Sequence, residues 1–334
     1  MSNKTNGNFA SRARWRIIAP AILLLGAGVV FAVGVETGNG GRLSFVSRRA
    51  EWAIAIYSGS SPYDLRPAEG IRCPALTADD VTDADAQFVA DPFMVRSEGT
   101  WYMFFEVLNR ATGQGDIALA TSENGLDWRY RRVVLDEPFH LSYPYVFEWD
   151  GEHYMIPESF EANAVRLYRA AEFPDRWEYV RDLVRGVFVD PSICRFNDRW
   201  WLFASSIKNN ELRLFFADDL AGAWREHPES PVVVGDANVA RPGGRVFLLE
   251  GRAVRLTQDD DPSYGNGVRA FEIRRLTTFD YEEKEIATGP ILTAAGQGWN
   301  AAGMHNADPH RIGDGRWIAC VDGHHWNTRF EIRY

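Results

Sequence analysis

Residues 89–106, VADPFMVRSEGTWYMFFE, decide the fold, because the same pattern returns along the chain. The stretch is typical of a β-hairpin. Asp91-Pro92 opens it, an apolar run follows, and a polar turn at 97–100 leads into a second apolar run that ends on Glu106. Four further copies follow. The five copies open at Asp91, Tyr143, Asp190, Arg241 and Asp308, and they close at Glu106, Glu158, Ser205, Gln258 and Asp322.

The spacing of the copies indicates a repeat architecture. The opening and closing residues lie 15 positions apart in the first three copies, 17 in the fourth and 14 in the fifth, and successive openings are separated by 52, 47, 51 and 67 residues. Such a period is typical of a propeller or a solenoid. Third apolar runs begin at Asp116, Val165, Leu212, Val268 and Phe330, and fourth strands at Trp128, Trp177, Trp224 and Tyr281. Four strands in each period make one blade, so the sequence predicts an all-β, five-bladed β-propeller over 51–334.

The last copy reaches the end of the chain, at Tyr334, before it supplies an outer strand. An unpaired strand edge promotes aggregation, so another segment is expected to cover it. The apolar stretch 51–57, EWAIAIY, precedes the first copy and is the candidate. We therefore expect the N-terminal strand to close the propeller.

The first 50 residues predict a membrane anchor. Residues 1–16 are basic and contain no acid, and 17–35 form an apolar run. At ~1.5 Å per residue this run spans ~28 Å as a helix, close to the ~30 Å of a bilayer core. The basic tail is expected in the cytoplasm, 36–50 as a tether, and the propeller on the periplasmic or extracellular side. The alternative is a cleaved signal peptide and a secreted protein.

Composition limits the partners of the chain. With 46% hydrophobic residues its 334 residues can bury a large core, and its net charge of −10 argues against a nucleic-acid partner, which requires a basic face. The three cysteines, Cys73, Cys194 and Cys320, show no metal-binding or redox spacing. Because three is an odd number, at most one disulfide could form, and buried free thiols are the expected state of the cysteines.

The opening and closing positions define a candidate site. Equivalent positions of the inner strands point at the central funnel of a propeller, and six of these ten positions carry a carboxylate. An Asp-Pro at a strand start can also be turn chemistry, in which the Asp caps backbone N–H groups. Several convergent carboxylates suit glycosidic-bond cleavage, which needs one carboxylic acid to protonate the leaving oxygen and a second carboxylate to activate water or to attack carbon. Of the aromatic residues only Tyr143 lies at an opening position.

The residues also carry a family resemblance. Asp91 in the first blade and Asp190 two blades later resemble the furanosidase-type propellers of glycoside hydrolase families 43 and 32. The motifs ADPFMV, WYMFFE, QGDIALATSENGLDW, HLSYPYVF, MIPES, LYRAAEFPDRW, VDPSI and WWLFAS, within 86–330, resemble the N-terminal domain of plant glucosamine inositolphosphorylceramide transferases. In that family the transferase activity belongs to a separate C-terminal domain, so the resemblance does not imply transfer from a nucleotide sugar.

The hydrolase resemblance implies roles for three residues. Asp91 would be the base or nucleophile and Asp190 the aspartate that tunes pKa values. The hydrolase acid is a glutamate at the position held here by Arg241, so Glu158 would have to donate the proton. The residues expected to bind substrate are Glu106, His140, Tyr143, Arg241, Gln258, Asp308 and Asp322.

Two hypotheses about function follow. The first is a membrane-tethered, extracytoplasmic, furanosidase-like glycoside hydrolase that acts on a cell-envelope polysaccharide or glycolipid. The second is a non-catalytic carbohydrate-binding propeller that assists a partner glycosyltransferase or a surface-polysaccharide system, and Arg241 at the position of the acid favours it. A pure interaction scaffold is the weakest reading, because it would not need a polar funnel.

No cofactor is required by either hypothesis, but one metal site is conceivable. His305, Asp308 and His310 lie close together in the last copy, and histidine with aspartate is plausible ligation chemistry. Strand alternation turns His305 and Asp308 to opposite faces, so a bend would be needed to bring them together. Histidines held by hydrogen bonds are the alternative.

Overall fold

The computed structural model describes residues 48–313 and 315–328 in full, and the strand backbone alone at 21–25, 28–36, 43–47 and 329–333. The chain divides into two compact units, Trp52–His325 and a smaller unit of Met1–Glu51 with Trp326–Tyr334. In the smaller unit Ala21–Leu25 pairs antiparallel with Gly28–Glu36, which pairs in turn with the start of Leu43–Ser61.

The predicted membrane anchor, 17–35, coincides in part with the first two of these strands and otherwise lies outside the described residues. Within the described part of the chain, no helix has the length and apolar character needed to cross a membrane. The anchor, the cytoplasmic tail at 1–16 and the tether at 36–50 stay predictions.

The larger unit is built from antiparallel blades, which confirms the predicted five-bladed propeller. The first blade contains Ala86–Ser97, Thr100–Asn109, Gly115–Ser122 and Arg129–Leu135, and the second contains Ser142–Trp149, Glu152–Glu158, Ala164–Glu172 and Arg176–Arg185. The third contains Val189–Phe196, Arg199–Ser205, Glu211–Ala217, Arg225–Glu226 and the short Val233–Val234, and the fourth contains Phe247–Leu249, Arg252–Asp259, Gly267–Leu276, Tyr281–Glu285 and Leu292–Thr293. Short 3₁₀ turns lie at Ala78–Asp80, Phe160–Ala162 and Gly298–Asn300.

The fifth blade is closed by the N-terminal segment, as predicted, but in a different strand order. It contains Ala307–Gly313, then Arg316–Arg333, then Leu43–Ser61 and finally Asp64–Pro67. The run at Phe330 was expected to be a separate third strand, and this is wrong, because the second strand continues through it without a turn. The N-terminal strand therefore takes the third place and Asp64–Pro67 the outer one.

Tight turns fix the register of the inner hairpins. Glu98 and Gly99 both have positive φ, at 50° and 88°, and they join Ser97 directly to its partner Thr100. A two-residue loop with positive φ at both positions matches the twist of the flanking strands. The same geometry recurs at Asp150-Gly151, Asn197-Asp198 and Glu250-Gly251. The four hairpins thus present equivalent residues at equivalent heights along the axis.

The hydrophobic core lies between neighbouring blades. The largest cluster joins the first three blades around Phe93, Tyr145, Trp177 and Trp200. Packing of these apolar faces leaves the ends of the inner strands to line the axis. Polar residues are buried there, among them Asp91, Glu106, Glu158, Asp190, Gln258 and Asp322.

The fourth blade approaches the axis more closely than a side chain would allow. Its inner strand is short, and Gly244, before that strand, forms a parallel bridge with Ala307 of the fifth blade. Gly244 has a φ of 137°, and a Cβ there would lie 1.8 Å from the carbonyl oxygen of Ala307. Only glycine fits this contact.

Candidate functional site

Three inner strands contain a left-handed residue. Asp91, Tyr143 and Asp190 have φ values of 53°, 46° and 49°. In the first and third blades strand pairing shifts its register across this residue. A non-glycine residue in this conformation costs on the order of 1–3 kcal/mol, so the surroundings must hold it.

Carboxylates of the neighbouring hairpins hold these residues. Asp322 Oδ2 accepts the backbone N–H of Asp91 at 2.9 Å, Asp91 Oδ2 accepts that of Tyr143 at 3.3 Å, and Glu158 Oε2 accepts that of Asp190 at 3.0 Å. Acidic residues therefore do accept backbone N–H groups in this region, which is the structural role that turn chemistry suggested. It occupies one oxygen of Asp91 and one of Glu158.

Other acceptor atoms in the same region have no donor. Asp91 Oδ1, Glu106 Oε1, Asp190 Oδ1 and Gln258 Oε1 are buried, and among the described residues they receive no hydrogen bond. Leaving such acceptors unsatisfied costs about 1–3 kcal/mol each. Four unsatisfied acceptors around one axis suit a ligand that is rich in hydrogen-bond donors, such as the hydroxyl groups of a sugar.

Asp190 is held by a cation and an amide. Arg241 Nε and Gln258 Nε2 both donate to Asp190 Oδ2 at 2.5 Å. Arg241 also donates to Asn209 Oδ1 at 2.9 Å, and its Nη2 lies 3.7 Å from Glu158 Oε2. The arginine that replaces the expected acid thus sits between two of the three predicted catalytic carboxylates.

His305 connects Asp322 to Asp91. Its Nδ1 lies 2.8 Å from Asp322 Oδ1, and its Nε2 lies 3.5 Å from Asp91 Oδ1. Burial disfavours the imidazolium, but Asp322 and Asp91 outweigh it and raise the pKa of His305 to about 9. Burial raises the pKa of Asp91 to about 7, with Asp190 and Asp322 adding to the rise while His305 and Arg241 oppose it. The imidazole ring stacks on Trp52 at 4.1 Å.

Two glutamates at the same end favour their protonated forms. Burial, and then the charge of Asp91, raises the pKa of Glu106 well above its ordinary value. Burial and Asp190 do the same for the pKa of Glu158, against the opposing charge of Arg241. A buried carboxyl with a raised pKa can donate a proton near neutral pH.

His140 lies beside Glu106, as its predicted role in substrate binding requires. His140 Nδ1 accepts the N–H of Gly115 at 2.9 Å, and its Nε2 lies 3.5 Å from Glu106 Oε1. Burial lowers the pKa of His140, so the ring is neutral at neutral pH, with its proton on Nε2. A Cβ on Gly115 would lie 2.8 Å from Glu106 Oε1, so glycine allows this approach.

Asp308 and His310 do not join this group, contrary to the prediction. Asp308 Oδ1 accepts from Arg245 Nε at 2.5 Å, and His310 Nε2 lies 2.9 Å from Asp308 Oδ2. Unlike Asp91 and Asp190, Asp308 is not among the residues with positive φ. The predicted metal site of His305, Asp308 and His310 is therefore not assembled, because His305 bonds to Asp322 instead.

One group among the described residues brings potential ligand atoms together. Those of Asp91, His305 and Asp322 lie within 4.8 Å of one another. A histidine binds a metal in its neutral form, and against the effect of burial Asp322 and Asp91 raise the pKa of His305 to about 9, so a metal ion would have to displace its proton. In the absence of a metal the three residues form an ion-paired chain from Asp322 through His305 to Asp91.

Two aromatic residues of the site were missed by the sequence analysis. Tyr264, in the loop between the second and third strands of the fourth blade, packs its ring 5.1 Å from the guanidinium of Arg241 and 5.3 Å from His305. Trp52 belongs to the strand that was predicted to close the last blade, so its presence near the axis could have been anticipated. Tyr264 carried no such signal.

Comparison with known sequences places this site in a family. The family model described as "Glucosamine inositolphosphorylceramide transferase 1, N-terminal" matches residues 46–324. Proteins named glucosamine inositolphosphorylceramide transferase 1 are similar to this chain. The one from Oryza sativa subsp. japonica is 36% identical over 295 residues, and the one from Arabidopsis thaliana is 33% identical. Both alignments cover 81% of this chain but only 40% and 39% of those relatives, so the chain spans about two fifths of their length.

Solved structures share the fold at low sequence identity. The catalytic domain of the GH62 α-L-arabinofuranosidase from Coprinopsis cinerea has a TM-score of 0.54 at 12% identity, covering 71% of this chain and 91% of its own. CoXyl43, a GH43 β-xylosidase/α-arabinofuranosidase from a compost microbial metagenome, has a TM-score of 0.54 at 11% identity, covering 81% and 95%. These likenesses support the fold alone. The length and identity of the sequence matches go further, and the chain belongs to the family of the N-terminal part of glucosamine inositolphosphorylceramide transferase 1.

Proposed function

We propose that this chain acts on glycans, most concretely as a furanosidase-like glycoside hydrolase. The observation that carries the proposal is the set of buried acceptors without donors, Asp91 Oδ1, Glu106 Oε1, Asp190 Oδ1 and Gln258 Oε1. Sugar hydroxyl groups would satisfy them. The names of the relatives contain a sugar, glucosamine, and a ceramide lipid, which agrees with a carbohydrate substrate.

The roles follow from the surroundings of each carboxyl group. Glu158, whose pKa is raised by burial and by Asp190, is the proton donor. Asp91, whose Oδ1 lies 3.5 Å from the His305 imidazolium, is the base or nucleophile. Asp190, held by Arg241 and Gln258, orients the site and sets the charge around Glu158. Because two carboxyl groups with different roles are what glycoside hydrolysis needs, the arrangement supports this reaction class.

The position of Arg241 supports a second candidate, glycan recognition without turnover. Its guanidinium is bonded to Asp190 and lies 3.7 Å from Glu158, where it opposes proton donation by stabilising the glutamate anion. In this reading the unsatisfied acceptors bind a sugar, and a partner glycosyltransferase performs the chemistry.

One experiment separates the two candidates. The full chain is incubated with arabinan, fructan and cell-envelope glycans, and released sugar and bound glycan are measured in the same samples. The hydrolase predicts release that falls at least 100-fold in Asp91→Asn and in Glu158→Gln, since removal of a catalytic acid or base typically costs about 10²–10⁴-fold. Asp218→Asn, in an exposed pair with Arg199, is the matched control and should keep full release.

The results have distinct meanings. Binding without release by the native chain would favour recognition, and Asp91→Asn should then weaken binding rather than turnover. Full release by Asp91→Asn would contradict its catalytic role. Absence of both binding and release over the whole set of glycans would contradict glycan activity.

We further propose that 17–35 anchors the propeller at the membrane, with 1–16 in the cytoplasm and the propeller outside it. The basic flank and the length of the apolar run support this orientation. Fractionation, together with protease treatment of intact cells, tests it. Recovery of the chain in the soluble fraction without its first 35 residues would favour the secreted alternative.

A further inference from the structure

A cavity lies toward the opposite end of the inner strands from the carboxylates. Asp190 lies near the start of its inner strand, Glu158 ends a second strand, and Asp91 lies in the middle of its inner strand. The cavity is instead lined toward the ends of inner strands, by Arg96, Phe147 and Arg311. Its volume is about 480 Å³. This is within the usual range of about 300–1,000 Å³ for small-molecule sites.

The lining of this cavity is basic although the chain is acidic. Arg96, Arg245 and Arg311 contribute three guanidinium groups, and Glu148 is the acid among the lining residues. The whole chain carries a net charge of −10. Among the described residues neither Arg96 nor Arg311 forms an ion pair, and both are exposed. Two of the three guanidinium groups, those of Arg96 and Arg311, are therefore not paired with an acid among the described residues.

Arg245 forms a fixed part of the wall. Its Nη2 donates to the carbonyl oxygens of Met94 at 3.0 Å and Val146 at 2.9 Å, and its Nε donates to Asp308 at 2.5 Å. Among the described residues its Nη1 donates to no acceptor, and the guanidinium lines the cavity. A guanidinium already fixed by the protein loses little conformational freedom when it binds an anion.

Asp308 offsets the charge of Arg245 but not those of Arg96 and Arg311. Burial opposes its ionisation, but Arg245 and His310 lower the pKa of Asp308 to about 2, so its charge offsets that of Arg245, with which it is paired. Arg96 and Arg311 remain available. The aromatic rings of Trp101 and Phe147 also line the cavity and give an apolar surface beside the arginines.

We propose that this cavity binds a small anionic ligand, a sugar or similar polar body that carries a phosphate or carboxylate group. Arg96, Arg245 and Arg311 contact the anionic group, since guanidinium groups match the geometry of both anions. Trp101 and Phe147 pack against the body of the ligand. The site is separate from the carboxylates of the proposed glycan site, so its test does not depend on glycan activity.

The test is isothermal titration of the full chain at low ionic strength with glucose 6-phosphate, glucuronate and neutral glucose. The proposal predicts binding of at least one anion and not of glucose. Arg96→Gln and Arg311→Gln should each weaken binding by about three- to tenfold, as expected for loss of one partly exposed charge contact. Glu148→Gln should tighten it, because it removes the opposing charge. Arg129→Gln, an exposed arginine of the outer strand of the first blade, is the matched control.

The two anions separate the possible sources of the charge. Preference for glucose 6-phosphate assigns a phosphate, and preference for glucuronate assigns a carboxylate. Binding of glucose as tightly as either anion, no binding of any of the three, or equal losses in Arg311→Gln and Arg129→Gln would overturn the proposal.

Discussion

The two ends of the propeller axis hold buried acidic residues in opposite electrostatic settings. At the carboxylate end, formed by Asp91, Glu106, Glu158, Asp190 and Asp322, burial and neighbouring acids raise the pKa values of Asp91, Glu106 and Glu158. At the arginine end, formed by Asp308, Arg245 and His310, burial opposes the ionisation of Asp308, but Arg245 and His310 lower its pKa to about 2. Acidic side chains outnumber basic ones at the carboxylate end, whereas at the arginine end the charge of Asp308 is balanced by that of Arg245.

The hydrogen bonds differ in the same way. Asp91 and Asp190 each have one carboxylate oxygen that receives no bond among the described residues, whereas both oxygens of Asp308 are bonded. Asp91 and Asp190 have positive φ and Asp308 does not, although all three open a blade in an Asp-Pro. The φ angle thus distinguishes Asp91 and Asp190, each with an oxygen available to a ligand, from Asp308, whose hydrogen bonds stabilise the fold.

The largest expected effect is at the arginine end. Arg245→Met leaves Asp308 as a buried carboxylate without its cation, and breaking a buried pair on one side costs about 3–5 kcal/mol. We expect a loss of this size in the free energy of unfolding, measured with urea, and no change in glycan binding at the carboxylate end. Arg199→Met, in an exposed pair with Asp218, should lose less than about 1 kcal/mol. Equal losses in both variants would show that the arginine end does not serve stability.

The carboxylate end should lose stability as the pH rises. The pKa of His305 is about 9 in the folded chain against 6.5 ordinarily, so its stabilisation is complete below pH 6.5 and disappears as the pH rises through 9. A shift of this size corresponds to about 3 kcal/mol. The free energy of unfolding should therefore fall more steeply between pH 7 and 9.5 in the native chain than in His305→Gln. If the free energy of unfolding falls equally with pH in the native chain and in His305→Gln, His305 is not held as an imidazolium.

The arginine end should lose stability in the opposite direction. The pKa of Asp308 falls from 3.8 to about 2 on folding, so its contribution is complete above pH 4 and is lost as the pH falls through 2. The shift corresponds to about 2 kcal/mol. Urea unfolding between pH 5 and 2 should show a smaller slope in Asp308→Asn than in the native chain. If the free energy of unfolding changes with pH in Asp308→Asn as it does in the native chain, the two ends do not differ in how their stability depends on pH.

The sequence was sufficient for what a single hairpin determines. The turn within 97–100 follows from local alternation and turn chemistry, and the number of blades follows from the repetition of that hairpin along the chain. The direction in which Asp308 faces could not be predicted, because it depends on a φ angle that the Asp-Pro sequence does not specify. Trp52 and Tyr264 reach His305 from distant parts of the chain, and no local pattern indicates such contacts.

The smallest expected effect concerns Tyr264, whose ring connects the cation and the imidazolium of the carboxylate end. Tyr264→Ala removes the contact at 5.1 Å with Arg241 and the edge contact at 5.3 Å with His305, and it should lower the free energy of unfolding by about 1 kcal/mol. Glycan binding should weaken a few-fold as Arg241 gains freedom. Tyr264→Phe keeps the ring, so it should behave like the native chain in both measurements. If Phe costs as much as Ala, the hydroxyl group rather than the ring is responsible, and Tyr264 then belongs with the residues that contact the glycan.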